Sequence, residues 1–200
     1  GPVITPARLS VVRAGAELPL YITVVRDTIR LPSVRYRVEG DVGYMRISSF
    51  TEQTIDGLNK AVESLTAEIG AGEIKGFILD LRNNPGGLLP QAVEVVSRFV
   101  PGGKTVVSVK GRSRYATTEE LKTVSGTMHD FPLVVMINGG SASASEIVAG
   151  AVQDYGRGLV VGTDSFGKGL VQRVFPLPYG TGLTLTTAPG HRLTSSPLAM

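Results

Sequence analysis

The run Asn138-Gly139-Gly140-Ser141-Ala142-Ser143-Ala144-Ser145-Glu146 places three hydroxyl groups and a carboxyl between two apolar stretches. Upstream, Pro132-Leu133-Val134-Val135-Met136-Ile137 reads as a buried strand; downstream, Ile147-Val148-Ala149-Gly150-Ala151-Val152 reads as a buried helix. A strand, a glycine pair and small residues opening a helix bring backbone N–H groups to one point. Those donors have no partner inside the helix and suit a carboxylate, a phosphate or an oxyanion. A serine at such a point is a candidate nucleophile. Ser143 with Glu146 three residues on is also a capping box, which by itself accounts for both residues.

Two further features bear on that choice. Lys168 stands between Gly167 and Gly169, after Phe166, where its backbone is unshielded and can be drawn in close. A lysine packed under apolar cover loses the solvation of its ammonium, its pKa falls, and it can serve as a general base. A loop lysine is otherwise simply a solvated charge. The second feature is Asn83-Asn84-Pro85-Gly86-Gly87, a dense turn signal that follows the continuous apolar run Gly76 to Arg82. If the strands before Gly86-Gly87 and Gly139-Gly140 are neighbours, both turns end on one side. Backbone N–H groups from each could then converge on one oxygen, as an oxyanion hole requires. Tight turning alone is the competing explanation for these glycines.

The elements that must position these residues follow from periodicity. Arg8 to Arg13 and Leu20 to Arg26 read as a hairpin, which alone is marginal in water. A linker is expected at Leu31-Pro32-Ser33. Strands are then expected around Tyr36–Val38 and Gly43–Ile47, and a helix from Ile55 to Ile69, ended by Gly70 and Gly72. After the Gly76 strand come a helix from Leu89 to Val100 and a strand from Thr105 to Val109. The stretch from Arg112 to Met128 is polar and irregular, with a short helix expected around Glu119-Glu120-Leu121. Strands at Leu159–Val161, Leu170–Phe175 and Gly182–Thr187 close the chain. Alternating strands and helices predict an α/β layer architecture.

Composition bounds the function. The 200 residues are 42% apolar and 18% charged, which suits a folded chain with a real core. The net charge is +3 and no basic, aromatic-studded stripe appears, which argues against a nucleic-acid partner. No cysteine is present, so thiolate catalysis, disulfides and cysteine-ligated zinc are excluded. The two histidines, His129 and His191, make no metal-ligand pattern. No apolar stretch is long enough to span a bilayer, and no leader is expected in these residues.

Ser143-Ala144-Ser145-Glu146 and Ser165-Phe166-Gly167-Lys168-Gly169-Leu170-Val171-Gln172 resemble motifs of the carboxy-terminal processing, or tail-specific, proteases. So do Leu79-Asp80-Leu81-Arg82-Asn83-Asn84-Pro85-Gly86-Gly87 and Gly43-Tyr44-Met45-Arg46-Ile47-Ser48-Ser49-Phe50, in the same order along the chain. Lys168 follows Ser143 by 25 residues, which matches the serine-to-lysine spacing of that family. The resemblance implies Ser143 as nucleophile, Lys168 as its base, and Gln172 as the residue that orients the lysine. It implies the Gly87 and Ala144 amides as the oxyanion hole, and Ser141 and Ser145 as neighbours of the nucleophile. On a straight strand Lys168 and Gln172 would lie about 13 Å apart, so they meet only if the chain bends near Gly169.

The fold so implied is a crotonase/ClpP-like α/β spiral of ββα units over residues 31–188, preceded at residues 1–30 by the last strands of a PDZ domain. The loop and helix with which a PDZ domain grips a peptide are not in this sequence. Residues 189–200, beginning Pro189-Gly190-His191, depart from the family and are expected to be an atypical tail. The function implied is a serine endopeptidase acting on protein or peptide substrates near their C-termini, without cofactor, metal or nucleic acid, in an extracytoplasmic compartment. Self-association into a homo-oligomer is compatible with it. Two readings compete: a catalytically inactive peptide-binding module of the same fold, and an acyl-CoA enzyme using paired backbone amides. The latter needs no serine nucleophile, so the Ser143 and Lys168 pair argues against it. A Ser–His–Asp relay through His129-Asp130 is disfavoured, since adjacent side chains are poorly placed to form one.

Overall fold

The computed structural model of the chain describes residues 2–27, 32–110, 118–125 and 130–191. It divides into two units, Gly1–Leu31 and Pro32–Met200. The first is an antiparallel hairpin of β1 (Pro6–Val11) and β2 (Leu20–Val25), in register from Pro6 opposite Val25 to Val11 opposite Leu20. Nearly all its side chains are exposed.

The second unit is built on a five-stranded mixed sheet of β3 (Val34–Glu39), β4 (Val42–Ile47), β5 (Gly76–Asp80), β8 (Leu133–Ile137) and β9 (Leu159–Gly162), adjacent in that order. β3 and β4 are antiparallel; β4, β5, β8 and β9 run parallel. Three helices supply the crossovers: α1 (Thr54–Ile69), α2 (Leu89–Ser97) and α3 (Ala144–Asp154). Side chains alternate across a strand, and Met45, Ile47, Phe77, Leu79, Leu133, Val135 and Ile137 all belong to one face. They form a single buried cluster with Leu58, Val62 and Leu65 of α1, Val95 and Val96 of α2, and Val148 and Val152 of α3. The core therefore lies between that face and the helices.

Helix limits follow local chemistry. α1 stops at Gly70, whose φ of 98° returns its N–H to the Thr66 carbonyl. α2 opens with Pro90 in its first turn and ends at Ser97, short of the expected Val100. From Arg98 to Phe99 the chain tightens into bonds three residues apart, to the Val95 and Val96 carbonyls.

A second, antiparallel sheet has the order β10 (Leu170–Leu177), β11 (Thr181–His191), β6 (Thr105–Lys110), β7 (Thr118–Lys122). The short helix expected around Glu119-Glu120-Leu121 is in fact β7. Glu119 pairs with Val109, Glu120 with Ser108 and Leu121 with Val107. Pairing with β6 overrides the helical propensity of a Glu-Glu-Leu-Lys run, because propensity is a weak term beside a ladder of backbone bonds. β11 continues to His191, with Gly190 opposite Val109 and His191 opposite Ser108. Leu31, His129 and residues 192–200, on which other expectations fall, lie outside the described residues.

Candidate active site

The order of the large sheet puts β5 beside β8, so the turns that leave their C-terminal ends meet. The contact is built from amides and hydroxyls. Ser141 Oγ donates to the Leu81 carbonyl (2.8 Å), Ser145 Oγ to the Asn84 carbonyl (2.9 Å), and Ala142 N–H to the same Asn84 carbonyl (3.0 Å). Asn138 and Asn83 clasp through their side-chain amides, Nδ2 to Oδ1 at 3.0 Å, while Asn138 Oδ1 accepts from the Asn83 N–H at 2.9 Å. Fully buried Asn84 donates to the Ile47 carbonyl and accepts from the Gly86 N–H. By residue type these asparagines are turn formers; in the fold their amide groups are what join the two turns.

Three serines compete as nucleophile, and burial separates them. Ser141 and Ser145 are fully buried with their hydroxyls committed to carbonyls. Ser143 is half-exposed. Its backbone sits at φ 56°, ψ −113°, at the junction of the β8 turn and α3. A capping serine ordinarily has extended φ/ψ, so capping does not account for this conformation. A non-glycine residue held at positive φ is strained, and such strain clusters at reactive sites.

An account of the N–H groups around Ser143 leaves two open. From Gly140 to Ser145, the partners are Asn138 Oδ1 for Gly140, the Asn138 carbonyl for Ser141, the Asn84 carbonyl for Ala142, Glu146 Oε2 for Ser143 and the Ala142 carbonyl for Ser145. Ala144 N–H has no partner among the described residues. The local expectation that the Gly139-Gly140 amides supply the donors fails at Gly140, whose N–H closes an Asx turn on Asn138. In the other turn, Phe50 pairs with the Gly86 carbonyl and the Leu88 N–H, so the Gly87 N–H between them points the opposite way. It too is without a partner among the described residues.

The two turns touch so closely that only glycine fits. At Gly86, φ is 101° and a Cβ would lie 2.8 Å from Ser143 Cβ and 3.0 Å from Ala144 N. At Gly87, φ is 144° and a Cβ would lie 2.2 Å from the Phe50 carbonyl oxygen. The open N–H groups of Gly87 and Ala144 are thus neighbours, beside Ser143.

Lys168 arrives from the loop after β9. The Phe166 N–H donates to the Ser141 carbonyl at 2.9 Å, seating this loop on the serine turn. Buried Glu146 then ties the two together: its Oε2 accepts from the Ser143 N–H (2.7 Å) and the Lys168 N–H (2.9 Å). Two nitrogens donating to one oxygen are no more than about 6 Å apart, so the backbones of Ser143 and Lys168 are side by side. Lys168 itself is half-buried. Between Lys168 and Gln172 the main chain departs from a straight strand. Gly169 N–H turns back to the Gly167 carbonyl at 3.2 Å, and β10 carries a register shift between Val171 and Gln172. A bulge there breaks the alternation of a straight strand. The Gln172 side chain lies outside the described residues.

Behind the Gly86 turn, Asp80 anchors the end of β5 although its side chain is fully buried. Arg82 grips it with Nε to Oδ1 at 2.9 Å and Nη2 to Oδ2 at 2.8 Å, and Tyr44 donates its hydroxyl to Oδ2. Burial pushes the carboxyl up, but the bonds from Arg82 and Tyr44 outweigh it and hold Asp80 at about 2, below the ordinary 3.8. Because the folded value is the lower one, its contribution is complete at neutral pH and is lost as pH falls through about 4 toward 2. It is worth about 2 kcal/mol. Acid titration of stability should show that loss in the wild type, and Asp80→Asn should remove the step while lowering stability at pH 7. Among the described residues no group of three or more His, Asp or Glu side chains could hold a metal ion.

The sequence pattern of peptidase family S41 matches residues 41–194. The chain belongs to that family. It is 47% identical over 188 residues to the carboxy-terminal-processing protease of Bartonella bacilliformis, an alignment covering 94% of this chain and 43% of the relative. Against the carboxyl-terminal-processing protease of Synechocystis it is 39% identical over 193 residues, covering 94% of this chain and 44% of that protein. The S41 chain thus spans less than half the length of these curated relatives. Its fold matches the solved photosystem II D1 C-terminal processing protease with a TM-score of 0.69 at 28% identity, over all of this chain and 54% of that one. S41 membership covers every element from β4 to β11.

Proposed function

We propose that the chain carries the catalytic core of a serine endopeptidase that cleaves protein substrates near their C-termini through a Ser143–Lys168 dyad. The observation that carries this reading is Ser143 at φ 56° beside the two open N–H groups of Gly87 and Ala144. The amine of Lys168 takes the proton of Ser143 Oγ as that oxygen attacks the scissile carbonyl. The Gly87 and Ala144 N–H groups receive the oxyanion. Collapse breaks the C–N bond, and the lysine returns its proton to the leaving amine. Lys168 then takes a proton from water as it attacks the acyl-enzyme, the ester C–O bond breaks, and the lysine returns that proton to the departing Ser143 Oγ. Gln172 orients the lysine in this scheme. No step requires a cofactor.

The same reading takes the parallel run β4-β5-β8-β9, with its helices on one face, as a turn of a crotonase-like spiral, and β1–β2 as the remnant of a PDZ domain. It places the protein outside the cytoplasm, where cell fractionation would find it. A fluorophosphonate probe tests the chemistry directly. Labelling should map to Ser143 and disappear in Ser143→Ala; labelling at Ser145 in its place would move the nucleophile.

A further inference from the structure

We infer that Glu146 is a positioning residue that assembles the dyad, rather than only the cap of α3. This rests on the Ser143–Lys168 reading. The side chain lies in the first turn of α3, 8% exposed, where the helix dipole favours a negative charge. A cap needs only one of its oxygens, yet four donors converge on the carboxylate. Oε2 takes the Ser143 and Lys168 N–H groups, at 2.7 and 2.9 Å. Oε1 takes the Ser165 hydroxyl and the Gly167 N–H, both at 2.7 Å. These short bonds to a charged acceptor are the strong kind, and every donor has its proton directed at the carboxylate.

Three of the four donors belong to the loop that delivers Lys168, and the fourth is the backbone of Ser143. A single buried group therefore sets where the lysine stands relative to the serine, across a separation of 25 residues in sequence. The conformation of Ser143 depends on it as well, because its N–H at positive φ is held by the same oxygen. The Phe166 N–H bond to the Ser141 carbonyl also seats the loop on the serine turn, but it touches neither member of the dyad.

Glu146→Gln is nearly isosteric but offers one acceptor oxygen, so backbone N–H groups are left facing an amide N–H₂. Reactive groups misplaced by about 1 Å lose on the order of 10²-fold in rate. Peptide hydrolysis by the intact chain should accordingly show kcat lowered about 10²-fold in Glu146→Gln, with KM nearly unchanged. Fluorophosphonate labelling of Ser143 should slow in parallel. Ser165→Ala removes one loop-side bond without touching α3; it should show a smaller fall in kcat with Tm close to wild type. Wild type labelled at Ser143 while both variants keep wild-type kcat would overturn the inference and leave the dyad standing. A rate loss in both variants that only tracks the unfolded fraction overturns it too. A wild type that never labels at Ser143 removes the dyad itself, and the inference with it.

Discussion

Ser143→Ala is expected to reduce peptide hydrolysis on the order of 10⁴-fold or more while leaving the fold in place. If Ser143 is the nucleophile, acyl transfer loses it outright, and what remains is the pull of the Gly87 and Ala144 N–H groups on a water-attacked carbonyl. The bond that Glu146 makes at Ser143 goes to the main-chain N–H, which alanine keeps. Alanine also inherits the same strained φ of 56°. The loss of stability should therefore not exceed the roughly 1 kcal/mol of a helix cap. Activity and thermal unfolding measured on one preparation check both halves. Turnover at the wild-type rate in Ser143→Ala would end the assignment.

The second large effect is expected at Lys168, where charge and proton-transfer capacity can be separated. Lys168→Arg supplies a cation on a side chain of similar length but not a base, since a guanidinium keeps its proton at any working pH. If the lysine accepts the serine proton, Lys168→Arg and Lys168→Ala should be equally inactive, each by roughly 10²- to 10⁴-fold. If instead the residue only supplies positive charge, Lys168→Arg should retain most of the rate. His129→Ala should remain close to wild type. An inactive His129→Ala beside an active Lys168→Arg would transfer the base to histidine.

Much of the architecture is legible in local pattern because it is encoded at short range. Leu58, Val62 and Leu65 recur at helical spacing and are among the residues α1 buries. Gly76 to Leu79 and Leu133 to Ile137 are uninterrupted runs without a charged or polar side chain, and both lie in central parallel strands. Failures came where a partner outside the window decides. Thr118–Lys122 is composed for a helix, and only the proximity of β6 makes it a strand. Gly190 and His191 at the end of β11 likewise pair with β6 across some 80 residues of intervening chain, beyond the reach of any local signal.

At the site the division is the same. Sequence alone marks Ser143 among its neighbours through the Glu146 offset, marks the glycines at which backbone must come close, and marks Lys168 by its glycine flanks. These are properties of i, i+3 spacing and of residue type, so they need no fold. Only the tertiary structure sets β5 beside β8, and so brings Gly86 against Ser143 and leaves the Gly87 and Ala144 N–H groups open together. It alone commits Ser141 and Ser145 to the carbonyls of Leu81 and Asn84, about 60 residues away. It alone turns Glu146 from the capping partner of one N–H into the acceptor of four. The reason is physical: a buried carboxylate must fill its acceptor sites, and which donors are within reach is determined by the packing of segments that no local pattern relates.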